Sequence, residues 1–167
     1  MRKNIILNYG FYLGLSTILT SVLKYTFGNY LEKSLVETFL GIILIVLFIY
    51  LGISTFKKNN SNFLSVKESL QIGLGISLIA ALLSVFYIYV FSSFIEPNFQ
   101  NEVIKLEINK MNTSNLSKKD IEKSVSIMRN YIMPMMYFGI IIMNLFLGFI
   151  TSLILGLALK KDKSVFN

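Results

Sequence analysis

Four separated stretches, residues 9–27, 38–56, 69–95 and 134–159, are almost wholly apolar, and Lys24 is the only charged residue inside any of them. A helix rises about 1.5 Å per residue, so about 20 such residues cross the roughly 30 Å of hydrocarbon in a bilayer. A backbone in hydrocarbon must satisfy its own hydrogen bonds, which a helix does within one segment. The pattern therefore predicts an all-α integral membrane protein with four transmembrane helices, forming one four-helix membrane domain over residues 1–167. The basic start followed by an apolar run resembles a signal peptide. No A-x-A-like cleavage site follows and three more spans do, so the run reads as an uncleaved first helix.

Local signals refine the boundaries. Ser65 and Glu68 have the spacing of a capping box and start the third helix, with Pro97 just past its end. Pro134 suits the first turn of a helix and is expected to open the fourth.

The basic residues predict orientation. Arg2, Lys3, Lys57, Lys58, Lys67, Lys160, Lys161 and Lys163 flank the spans, eight of the sixteen in the chain. The short connection between the first two spans has Lys33 balanced by Glu32 and Glu37. By the positive-inside rule both termini are expected in the cytoplasm. The connection between the third and fourth spans, residues 98–132, is then extracytoplasmic. Val103, Leu106, Ile104, Ile108 and Met111 have helical spacing in it, and Glu102 and Glu107 each stand three residues before a Lys. After a break at Asn112–Asn115, Ser117 and Asp120 offer a second capping-box-like start, and Ile121, Val125, Met128 and Ile132 repeat on one face. Two short amphipathic helices are expected, as a folded connector or a partner-binding lobe.

Small residues form stripes along three of the spans: Gly10 and Gly14 in the first, Gly73, Ser77 and Ala81 in the third, and Gly148, Ser152 and Gly156 in the fourth. Lipid is as apolar as Leu, so helices associate through close packing, and small residues let backbones approach. The stripes are read as packing within the bundle, with a subunit interface as the alternative. Lys24 lies on the face of Gly10 and Gly14 at roughly the level of Glu37, and the two are expected to form an ion pair closing the first hairpin. Asn144 and Thr151 are the residues that would line a polar pathway if one existed.

Other chemistry is poorly represented. The chain has no Cys and no His, which removes thiolate and imidazole catalysis and the usual zinc ligands. No nucleophile stands beside a base, no carboxylate lies in the middle of a span to carry protons, and no cofactor motif is present. The net charge of +7 comes with cations placed beside apolar spans, which argues for membrane flanks and against nucleic acid. The lipid bilayer is the expected partner, with a second copy of the chain or another membrane protein beside it.

With these residues in view, the chain resembles the bacterial membrane family called domain of unknown function 4199. The likeness lies in the basic start leading to "NYGFYLG", in "FLSVKESLQIGLGISLIAALLSVFYIYVF", in the charged connection before the Met- and Pro-rich start of the last span, and in "SLILGLALKK". The resemblance implies a four-helix inner-membrane protein and no assigned activity, so it supplies no site residues. The residues themselves favour a non-enzymatic protein that acts by helix association, as scaffold, accessory subunit or regulator. A small oligomeric transporter or channel is the alternative.

Overall fold

The structure, a computed structural model, describes residues 1–28, 30–31, 34–113 and 117–161. It is all-α, with helices α1 (Arg2–Phe27), α2 (Leu35–Asn59), α3 (Val66–Val90), α4 (Phe99–Asn112) and α5 (Lys118–Leu159). Among the described residues there are no strands, only one isolated bridge between Leu64 and Lys161. The helices α1, α2, α3 with its π-helical extension, and α5 are each long and apolar enough to cross a membrane. Lys33, Glu32 and Lys163, used above for orientation, lie outside the described residues.

The helix ends follow the local chemistry. In the Ser65–Glu68 capping box, the Ser65 N–H donates to Glu68 Oε2 at 2.8 Å and the Glu68 N–H donates to Ser65 Oγ at 3.2 Å. Two orphan donors are thereby satisfied before the chain becomes apolar. At the end of α2, the Asn62 N–H reaches back to the Lys57 carbonyl at 2.9 Å. Ser61 and Asn62 both adopt left-handed backbone there, with φ of 53° and 64°. This is the six-to-one bond of a Schellman stop made without glycine, with Ser61 at the left-handed position after the cap and Asn62 beside it. Past Val90, α3 widens into a π turn, Phe91–Ile95, closed by the Glu96 N–H on the Phe91 carbonyl at 2.8 Å.

Two expectations about the fourth span are corrected. Pro134 does not open a helix: it lies inside α5, which runs unbroken for 42 residues, or about 63 Å. The second amphipathic helix expected in residues 98–132 is not separate either, because it starts at Ser117 and continues into the span. The Asp120 N–H donates to Ser117 Oγ at 3.2 Å, as the spacing suggested. Proline removes the N–H that would serve the carbonyl four residues earlier. Here that residue is Asn130, which is exposed, so its carbonyl can be solvated and the helix survives the loss.

The chain forms two compact units, Met1–Ser84 with Ile141–Asn167, and Val85–Ile140. The first has an apolar core centred on Leu13, Ile49, Ile53, Ile72 and Ile76, all with no exposed surface. The second buries Phe91, Phe99, Ile104 and Met128. Its Phe91 ring meets Tyr87 at a tilt at 5.9 Å and Phe99 edge-to-face at 5.5 Å, and Gln100 Nε2 donates to the Arg129 carbonyl at 2.8 Å. On its outer surface Lys105 pairs with Glu102 and Lys110 with Glu107, the three-residue spacing seen in the sequence.

Candidate functional site

In the first unit, α3 is the helix against which the others pack. Its small residues Ser69, Gly73 and Ser77 meet Gly156, Ser152 and Gly148 of α5 in turn. The numbers rise by four on one helix as they fall by four on the other, so the two stripes run antiparallel in register. A Cβ on Gly156 would stand 2.9 Å from the Ser69 Cβ, and one on Gly148 or Gly73 would overlap the opposing serine. These backbones are as close as small side chains permit. The same register carries Ala81, fully buried, toward Asn144, which is half-buried.

The first helix is in parallel register with α3. Arg2 meets Gln71, Ile6 meets Gly75, Gly10 meets Ile79 and Gly14 meets Leu83, each pair rising by one turn. A Cβ on Gly10 would be 2.7 Å from that of Ile79. Sequence reading found the glycines of α1 but missed that Gly52 and Gly75 are equally enclosed, by Ile76 and by Ile6. Neither glycine belongs to a four-residue repeat, which was the only signal used. Leu147, one position from the stripe, also packs against the core.

Polar groups in this unit gather in two places. At one end Lys24 Nζ donates to Glu37 Oε2 at 2.5 Å, with side chains 20% and 33% exposed. The pair borders a hollow of about 200 Å³ lined by Thr17, Thr20, Ser21, Gly41 and Leu44. Its hydroxyls are spent on their own helix: Thr17, Thr20 and Ser21 donate to the carbonyls of Gly14, Ser16 and Thr17. A Cβ on Gly41 would meet nothing within 4 Å. At the opposite end Arg2, Asn60, Ser65, Lys67, Glu68, Gln71 and Lys161 surround a larger hollow of about 530 Å³.

Thr151 is buried and neither it nor Asn144 borders the hollow beside Lys24. Among the described residues no three acidic, His or Cys side chains converge as metal ligands would.

The family model described as "Protein of unknown function (DUF4199)" matches residues 8–161. The chain belongs to this family. Comparison with curated proteins and with solved structures finds no match. The match covers residues of every helix, including both sides of the α3–α5 seam, whereas Arg2 at the larger hollow precedes it.

Proposed function

We propose that the protein is a non-enzymatic, multi-pass inner-membrane protein of bacteria that acts by lateral association, as scaffold, accessory subunit or regulator, without a cofactor. Its occupant in the membrane plane is another membrane protein or a second copy of the chain. The observation that carries this reading is the hollow beside Lys24 and Glu37. It is bordered by Gly41 of α2, where an added Cβ would meet nothing within 4 Å, and its hydroxyls already donate to carbonyls of their own helix. Small residues at such a position favour close helix approach. By contrast the centre of the unit is filled by side chains with no exposed surface, which disfavours a path through a single copy.

Orientation follows from charge. Arg2, Lys57, Lys67 and Lys161 belong to one end of the first unit and the balanced Lys24–Glu37 pair to the other. The positive-inside rule makes the basic end cytoplasmic, with both termini there and residues 98–132 outside.

The competing reading is an oligomeric transporter or channel, in which the hydroxyl-lined hollow with Lys24 would form part of a path between copies. A photo-crosslinking residue placed at Gly41, in native membranes, tests the choice. A discrete adduct with one protein or with a second copy is expected, absent when the same residue replaces the exposed Leu157. Diffuse labelling equal at both positions, together with saturable flux in liposomes that Lys24→Met abolishes, would reject association in favour of transport.

A further inference from the structure

At the basic end of the first unit, three segments far apart in sequence converge on one hollow. Arg2 comes from the start of α1, Lys67 from the first turn of α3, and Lys161 from beyond α5, around a volume of about 530 Å³. That size falls within the roughly 300–1,000 Å³ typical of small-molecule sites. The walls are held in place. The Leu64 N–H donates to the Lys161 carbonyl at 3.0 Å and the Lys161 N–H returns to the Leu64 carbonyl at 2.9 Å. The Schellman stop after Lys57 shapes the turn beside them, and Lys57 Nζ donates to the Leu159 carbonyl at 2.9 Å, holding the last turn of α5.

The charge of the hollow is positive. Among the described residues it has three cations and one carboxylate, Glu68, which already accepts from the Ser65 N–H and Oγ. Asn60 Nδ2 is likewise committed, to the Phe63 carbonyl at 3.0 Å. Arg2 Nη1 donates to Gln71 Oε1 at 2.5 Å, which orients the guanidinium and leaves its other N–H groups for a ligand. Phe63 and Leu64 supply an apolar wall. The hollow stands where the apolar stretches of α1 and α3 begin, which for helices crossing a bilayer is the region of the headgroups.

We propose that this hollow binds a phosphate-bearing anion, its phosphate held by Arg2, Lys67 and Lys161. Membrane topology alone requires cations near this surface but does not require three segments to direct them into one pinned cavity with an apolar wall. Guanidinium and ammonium groups suit a phosphate by charge and by hydrogen-bond geometry. The source of the phosphate is either the headgroup of an anionic phospholipid such as phosphatidylglycerol or a soluble phosphate.

Native mass spectrometry and thermal shift of the full chain, purified in neutral detergent, test the site. The probes are phosphatidylglycerol, phosphatidylcholine with the same acyl chains, and inorganic phosphate. Phosphatidylglycerol should be retained over phosphatidylcholine, and the double change Arg2→Gln with Lys161→Gln should weaken that retention on the order of tenfold or more, as expected for two lost cations near an anionic headgroup. The change Lys105→Gln with Lys110→Gln, equal in charge but in the second unit, should leave it unaltered. If millimolar inorganic phosphate reproduces the thermal shift and displaces the lipid, the site takes free phosphate; if the lipid alone acts, it takes the headgroup. Lys67→Gln, an exposed position, provides a second variant should the double change impair folding. Equal retention of both lipids by the parent with no response to phosphate, or equal retention by parent and folded variants, would overturn the proposal.

Discussion

Gly148 of α5 lies directly against Ser77 of α3, so close that a Cβ built on the glycine would overlap the serine hydroxyl. The contact is one step of a ladder that continues through Gly73 against Ser152 and Gly156 against Ser69. Substituting Leu for Gly148 or Gly156 must therefore separate two backbones or distort the helices. Overpacking of this kind costs about 1–3 kcal/mol, and each variant should melt measurably below the parent in detergent. Leu157→Ile, on a face 62% exposed, should change little. Unchanged melting of both glycine variants would mean that the seam does not bear on stability.

The same contact leaves the Ser77 Oγ buried without a hydrogen-bond partner, whereas Ser152 Oγ donates to the Gly148 carbonyl at 2.6 Å. An unpaired buried hydroxyl costs about 1–3 kcal/mol. Ser77→Ala should consequently match or exceed the parent in thermal stability, while Ser77→Val, which adds bulk at the seam, should fall below it. A lower melting point for Ser77→Ala would point to a partner for the hydroxyl.

Lys24 and Glu37 join the far ends of α1 and α2, with both side chains mostly buried. A double-mutant cycle with Lys24→Met and Glu37→Gln should give a coupling of about 0.5–1 kcal/mol in detergent. Strictly additive effects would leave Lys24 extending to the interface independently of Glu37.

Topology is accessible to reporter fusions. Reporters in the turn at residues 58–61 and after residue 167 should give cytoplasmic signals, and one at Met111 an extracytoplasmic signal. A cytoplasmic signal at Met111 would invert the proposed orientation.

The helices were legible because they rest on local properties. Apolar stretches of sufficient length require helices in lipid, and the capping residues Ser65, Glu68, Ser117 and Asp120 act within one turn of their own helix ends. Of the amphipathic face Ile121, Val125, Met128 and Ile132, Met128 is buried and the other three are half-buried. Pro134 misled because proline is compatible both with a first turn and with an interior whose lost hydrogen bond falls at an exposed residue. The left-handed turn at Ser61 and Asn62 left no glycine to mark it.

By itself, then, the sequence determined the helical class, the approximate length of each span and which faces had to pack closely, because hydropathy and side-chain period are properties of neighbouring residues. Only the tertiary structure decided that the stripe of α5 is matched by that of α3 in antiparallel register, that the glycines of α1 receive Ile79 and Leu83, and that Arg2, Lys67 and Lys161 border one hollow. A small-residue stripe specifies a face that must be covered but not what covers it. That choice depends on the simultaneous fit of segments as distant as Arg2 and Lys161, whose proximity exists only once the helices have packed.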